Sequence, residues 1–119
     1  MQLMGPAAVF FSVVTGLVML ASAAYDFTMP PKVMDLVARL GRRPNFVRTL
    51  GLLKGLGGLG LFVGLVLSPI GVLAALGLVA YFILAIRAHA KLGDSGAETL
   101  PAAAMFILSA LTLITKLFS

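Results

Sequence analysis

The chain has 119 residues, of which 61% are hydrophobic and 11% charged; its formal net charge is +5, and it has no cysteine. This composition excludes a soluble domain with a polar surface and indicates an integral membrane protein. The missing cysteines exclude thiol–disulfide chemistry, thiolate metal sites and iron–sulfur ligation by this chain.

Four apolar runs are each long enough to cross a bilayer, which takes about 20 residues. The first run, residues 6–27, contains Ala21-Ser22-Ala23, a sequence typical of a signal-peptidase site. We interpret it as a retained span, because cleavage would put the basic loop that follows outside the cell. The other predicted spans are residues 46–68, 70–90 and 100–118, the last capped by Thr99. The sequence therefore predicts a single all-α domain, an integral membrane four-helix bundle.

A short amphipathic segment, residues 31–40, separates the first two spans. Pro30 and Pro31 end the first helix, and Gly41 suits the position after the short one. The apolar residues of the segment share one face at helical spacing: Val33, Leu36, Val37 and Leu40. Because it is too short to span, we expect it to lie in the membrane interface.

Basic residues concentrate in and beside the loops after spans one and three. They are Lys32, Arg39, Arg42, Arg43, Arg48, Arg87 and Lys91. The positive-inside rule then predicts a cell (inner) membrane protein with its basic loops in the cytoplasm and both termini outside. Topology and anionic lipid account for these charges, so we expect no nucleic-acid partner.

Small and polar residues mark the faces that pack inward in membrane helices. In span one they are Ala8, Ser12, Thr15, Gly16, Met19, Ser22, Ala23 and Asp26. In span three the predicted inward residues are Ala74, Gly77, Tyr81, Ala85 and Ala88, with His89 beside them. In span four they are Ala102, Met105, Ser109, Thr112 and Lys116.

Span two carries a single lysine, Lys54, between two glycine faces that point into the bundle. A lysine at this depth needs a partner or a cavity, and Asp26 is a candidate partner. Helical phase predicts one polar cluster that faces the cytoplasm and includes Ser22 and Met105. The predicted ligand-binding residues are Asp26, Lys54, Tyr81, His89 and Ser109. With one histidine in the chain, we predict no metal site and assign no catalytic residue.

The glycines of span two allow two kinds of contact. Gly51 and Gly55, like Gly60 and Gly64, have the spacing that packs helices within a protomer or across a homodimer, and we favour the protomer. The spacing of glycines 55, 57 and 60 also fits a dinucleotide-binding loop. That interpretation fails because the required strand, turn and helix are missing.

Residues 51–76, GLLKGLGGLGLFVGLVLSPIGVLAAL, and 88–94, AHAKLGD, resemble the DoxX-like family of small four-span bacterial membrane proteins. In that family a glycine-rich second span bearing a lysine precedes a third span that ends in His and then Gly-Asp. The resemblance implies that Lys54, His89, Gly93 and Asp94 are the family-pattern positions. It also implies a link of some members to quinone-coupled sulfur oxidation or to oxidative-stress complexes.

Three functional hypotheses follow. The first is a non-catalytic membrane subunit, or a bundle that binds a small apolar ligand such as a quinone or a lipid-like molecule. The second is a small proton-coupled transporter or exporter, which would depend on Asp26. The third is a membrane isomerase or oxidoreductase component that uses Asp26, Tyr81 and His89 as acid and base. The sequence does not identify the ligand, the partner protein or the oligomeric state.

Overall fold

The computed structural model describes residues 4–118, which form five helices and no strand. They are α1 (Pro6–Phe27), α2 (Pro31–Arg39), α3 (Phe46–Val63), α4 (Ser68–Lys91) and α5 (Gly96–Leu117). All except α2 are long and apolar enough to cross a membrane. The predicted all-α fold, with four long apolar helices and a short helix after the first, is confirmed.

Proline and glycine set the boundaries around α2. The chain leaves α1 at Phe27 and turns through Met29, which has a φ of 55°. Pro31 then starts α2, because its missing N–H is not needed in a first helical turn. After Arg39 the chain turns at Gly41, whose φ of 77° is readily adopted only by glycine. The short helix is thus bounded by two tight turns.

Three helix ends differ from the prediction by two residues or more. The second long helix stops at Val63 rather than at residue 68, and α4 starts at Ser68. The last helix begins three residues before the predicted cap, because Ser95 and not Thr99 caps it: Ser95 Oγ accepts a hydrogen bond from the Glu98 N–H at 3.2 Å. Ser95 and Glu98 have the spacing of a capping box, which indicates a helix that starts at Ser95. The prediction placed residues 94–98 in a loop because their hydropathy is low.

The four long helices are packed in the cyclic order α1, α3, α4, α5, with each helix in contact with its two neighbours. A small core lies between them, formed by Met19, Leu61, Ala75, Leu78, Phe82 and Ala102. The two ends of the described chain meet, since Lys116 Nζ lies 3.8 Å from Met4 Sδ. The short helix α2 and the α4–α5 loop therefore lie at the opposite end of the molecule.

Glycines bring the helices close together within the chain. A Cβ atom on Gly58 would lie 3.0 Å from the Gly16 carbonyl oxygen, so a side chain there would push α3 away from α1. At the α3–α4 turn, a Cβ atom on Gly64 would overlap the backbone of Gly71. The glycine faces of α3 thus serve contacts inside the protomer, as the sequence analysis favoured.

Hydroxyl groups add a polar contact between α1 and α5. The Oγ1 atoms of Thr15 and Thr112 are 2.8 Å apart, and both residues are fully buried. The inward faces predicted for spans one and four match the buried residues of α1 and α5. Helical phase was sufficient to predict these two faces, because the small and polar residues of α1 and of α5 lie on one side of each helix.

The inward face predicted for span three was wrong at Gly77, whereas Ala74, Tyr81 and Ala85 are half-buried and pack against the core. Gly77, predicted to point inward, is exposed, and a Cβ atom there would meet nothing within 4 Å. The buried residues of α4 are instead Gly71, Ala75, Leu78 and Phe82. The reason lies on the neighbouring helix: Leu78 fills the space beside Gly57, where a Cβ atom would lie 2.6 Å from Leu78 Cδ2. The large side chain of Leu78 on α4 therefore fills the space that Gly57 leaves on α3.

Candidate functional site

A cavity of about 400 Å³ lies at the α2 end of the molecule and is lined by all five helices. Four of the five predicted ligand-binding residues line it, namely Asp26, Lys54, Tyr81 and His89. Ser22 and Met105, the other members of the predicted cluster, line it as well. Ser109 does not: it is fully buried, and its hydroxyl group donates to the Met105 carbonyl oxygen at 2.8 Å.

An ion pair forms part of the cavity wall. Lys54 Nζ lies 2.6 Å from Asp26 Oδ2 and donates a hydrogen bond to Ser22 Oγ at 2.7 Å. Asp26 is 2% exposed and Lys54 8% exposed. The pairing considered from the sequence is therefore present, and it lies beside a cavity rather than in a closed helix contact.

One acceptor of this pair is not fully used. Asp26 Oδ2 accepts no hydrogen bond from any described residue, so its approach to Lys54 is an ion contact without hydrogen-bond alignment. A buried carboxylate oxygen normally accepts at least one well-aligned hydrogen bond. The contact with Lys54 is therefore the interaction that this covered oxygen makes among the described residues.

Local packing explains how the two charges meet. Asp26 is in the last turn of α1, and Lys54 is in the first half of α3, which packs closely against α1. A Cβ atom on Gly51 would lie 3.0 Å from Asp26 Cβ, so glycine at this position permits the approach. The glycine-rich face and the charged pair are thus parts of one arrangement.

A second charged cluster joins three separate elements of the chain. Arg39 of α2 donates to Asp94 Oδ1 at 2.7 Å and to Oδ2 at 3.4 Å. His89 Nδ1 of α4 lies 2.6 Å from Asp94 Oδ2. Arg39 Nε also lies 3.2 Å from Asp35 Oδ2. The carboxylate of Asp94, on the α4–α5 loop, therefore connects α2 to α4.

The electrostatics of this cluster favour ionised groups. The hydrogen bond from Arg39, followed by the one with His89, lowers the pKa of Asp94 to about 2. The same hydrogen bond, which Arg39 donates to Asp94, raises the pKa of Arg39 above its usual value. Asp94 has a side chain only 4% exposed, so α2 is held by a largely covered carboxylate.

Aromatic and apolar side chains form the rest of the inner wall. The rings of Tyr81 and Phe82 meet edge to face, with their centroids 4.8 Å apart. Ala85, Ala102 and Met105 complete this surface. Exposed charged residues of α2 and α5 also contribute to the lining: Lys32, Asp35, Arg39 and Glu98. The cavity therefore combines an aromatic side with a charged side.

Sequence reasoning missed the contribution of α2. Its amphipathic pattern predicted an interfacial helix, but periodicity does not identify the partner of a polar face. The ion pair between Arg39 and Asp94 spans 55 positions of sequence, and no local pattern encodes such a contact. Within residues 4–118 no group of three or more histidine, aspartate or glutamate residues could hold a metal ion.

Comparison with known proteins gives one match. The sequence model described as the DoxX-like family matches residues 10–112, which is most of the chain. Neither the search of curated proteins nor the search of solved structures found a match.

Proposed function

Because the chain belongs to the DoxX-like family and is a multi-pass membrane protein, we propose that it is a non-catalytic membrane subunit that binds a small amphipathic molecule. The ligand, quinone-like or lipid-like, would occupy the cavity at the α2 end. Asp26, Lys54, Tyr81 and His89 would contact its polar part, and the aromatic and apolar wall would contact the rest.

The observation that carries this proposal is the buried ion pair on the cavity wall. Keeping two charges inside a membrane domain costs free energy unless each finds enough partners. The Lys54 ammonium group has three N–H donors and contacts two groups in the described chain, Ser22 Oγ and Asp26 Oδ2, so at most two of its donors are in use. A polar group of a ligand would use this unused capacity.

The size and lining of the cavity agree with this role. A volume of about 400 Å³ falls within the usual range of small-molecule sites, roughly 300–1,000 Å³. Such sites are mostly apolar with a few polar groups that orient the ligand. The cavity lies between spans, where an apolar molecule enters from the bilayer.

The orientation of the chain is part of the proposal. We place the cavity end at the cytoplasmic face and both termini outside. Support comes from Arg42, Arg43 and Arg48, which follow α2 at the cavity end, and from the positive-inside rule. The chain has no cysteine, so a single introduced cysteine is the one residue that a maleimide labels. A cysteine introduced at Arg43 is expected to react with an impermeant maleimide only after the membrane is opened.

Ligand analysis tests the binding role. The protein purified in mild detergent is expected to carry an apolar molecule detectable by native mass spectrometry. In nanodiscs it is expected to bind an added short-chain quinone or a lysophospholipid. Both signals should be lost in Lys54→Leu and in the double variant Lys54→Leu with Asp26→Leu, which removes the two charges together.

A matched control is available in α5. Lys116 is also a buried lysine, but it lies at the other end of the bundle beside Met4. Lys116→Leu is therefore expected to retain the ligand. Wild-type protein that carries no apolar molecule and binds neither probe would refute the proposed function.

A further inference from the structure

The imidazole ring of His89 is held in one orientation. Its Nδ1 atom faces Asp94 Oδ2 at 2.6 Å, and Arg39 donates to both oxygens of the same carboxylate. Because a carboxylate accepts hydrogen bonds, the neutral form of the ring carries its proton on Nδ1.

The other ring nitrogen is left for the cavity. His89 lines the cavity, and no described residue forms a hydrogen bond with Nε2. In this tautomer Nε2 has a lone pair and no proton, so it can only accept a hydrogen bond. A ligand that fits must therefore bring a donor to this position.

Donors for the ligand also line the cavity. Lys54 has one N–H left after its contacts with Ser22 and Asp26, and the Tyr81 hydroxyl group can donate or accept. A carbonyl or ether oxygen would accept from these groups but would leave His89 Nε2 without a partner. A hydroxyl group does both, because it has one donor and two acceptor positions.

The inner wall indicates what carries the hydroxyl group. Tyr81 and Phe82 present an edge-to-face pair of rings, an arrangement that favours contact with another flat ring. From these observations we propose that the cavity selects a hydroxylated aromatic ring whose hydroxyl group donates to His89 Nε2. This proposal rests on the proposed function, since it specifies the chemistry of the same ligand.

A pair of probes tests this, in which a methyl group replaces the hydroxyl hydrogen and so removes the donor. Para-hexylphenol has the hydroxyl group, and para-hexylanisole, its methyl ether, does not. Binding of each to the full chain in nanodiscs would be measured by calorimetry, with partitioning into empty nanodiscs divided out. We expect the phenol to bind roughly tenfold more tightly, the ratio that one hydrogen bond of about 1.4 kcal/mol supplies.

Substitution and spectroscopy assign the preference to His89. In His89→Phe the ratio of the two affinities is expected to fall to about one, whereas His89→Gln, which keeps an acceptor oxygen, should retain part of it. His89 is the single histidine of the chain, so its ¹⁵N resonances can be read without assignment. The Nε2 resonance should shift with the phenol and not with the ether, and this measurement needs no variant.

The outcomes separate the two proposals. Three results would overturn the role of His89. They are equal binding of phenol and ether by the wild type, an unchanged preference in His89→Phe, and an Nε2 resonance that does not shift when the phenol is added. In that case binding of both probes would leave the proposed function standing. If neither probe binds and no ligand copurifies, both proposals fail.

Discussion

Lys54 on α3 and Asp26 on α1 face each other with 2.6 Å between Nζ and Oδ2, and this contact joins the two most closely packed helices of the molecule. Both side chains are nine-tenths covered or more. In such surroundings each charge depends on the other, so the pair has a direct effect on folding as well as on the cavity.

Removal of one partner is expected to be costly. Lys54→Leu leaves Asp26 as an uncompensated buried charge and should lower the free energy of unfolding by about 3–5 kcal/mol. The double variant Lys54→Leu with Asp26→Leu removes both charges and should recover most of this loss. Unfolding in detergent followed by circular dichroism would measure both. A double variant as unstable as the single one would contradict the explanation.

The close contact between Gly64 and Gly71 predicts that a larger residue at position 64 lowers the stability of the protein. Gly64→Ala places a methyl group against backbone that cannot move aside easily, so we expect a loss of about 1–3 kcal/mol. Gly77→Ala is the matched control, since the space there is open and alanine favours the helix by up to about 1 kcal/mol. Thermal unfolding of the two variants should therefore move in opposite directions.

The hydroxyl contact between α1 and α5 should be measurable by itself. Thr15→Val removes its 2.8 Å hydrogen bond with Thr112 and is expected to cost about 1 kcal/mol. Thr115→Val is the control, because Thr115 bonds only to carbonyl groups of its own helix. A double-mutant cycle of Thr15→Val and Thr112→Val would give no coupling energy if the contact were unimportant.

Arg39 should determine how firmly α2 is held. Its partner Asp94 lies 55 positions later in the sequence. Arg39→Ala removes the ion pair that attaches α2 to the α4–α5 loop. We expect amide hydrogen exchange across residues 31–39 to become about two- to fivefold faster, since an exposed ion pair makes only a small contribution to stability. Lys32→Ala, on the same helix, should leave exchange unchanged. Equal exchange in wild type and Arg39→Ala would contradict the role of Arg39.

The pKa of Asp94 predicts a pH dependence with a definite sign. Its value in the folded protein, about 2, is lower than its ordinary value of 3.8. The ionised carboxylate therefore adds stability above about pH 4, and this contribution is lost as the pH falls through about 2. Other carboxylates titrate in the same range, so the comparison must be made with Asp94→Asn.

The stability difference between wild type and Asp94→Asn is the quantity to follow. It should stay constant above about pH 4 and shrink towards pH 2, where the protonated Asp94 resembles asparagine. A difference that persists unchanged at low pH would mean that the charge of Asp94 does not support the attachment of α2.

Much of the fold follows from residue type and helical phase. The inward faces of α1 and α5 could be predicted because their small and polar residues occupy one side, and the same phase brought Asp26 and Lys54 together. The burial of Leu78 on α4 could not be predicted, because it depends on Gly57 of α3, which leaves room for that side chain. Burial of a large residue was decided by the neighbouring helix.

The site was predictable where it depends on depth and phase along a span. Tyr81 and His89 reach the cavity as their positions indicated, whereas Ser109 satisfies its hydroxyl group on its own helix, as serine often does in apolar surroundings. Arg39 could not be foreseen, since its contact with Asp94 requires the three-dimensional path of the loops.

The ion pair between α1 and α3 also bears on how the protein enters the bilayer. α1 alone would bring Asp26 to the edge of the hydrocarbon and α3 alone would bring Lys54 into it, at a cost that is about 2.5–3.5 kcal/mol at the membrane centre and smaller towards the interface. Since the two are consecutive spans in close contact, they form a helical hairpin in which the opposite charges cancel. Assembly of this hairpin during insertion would make α1 and α3 the unit onto which α4 and α5 pack.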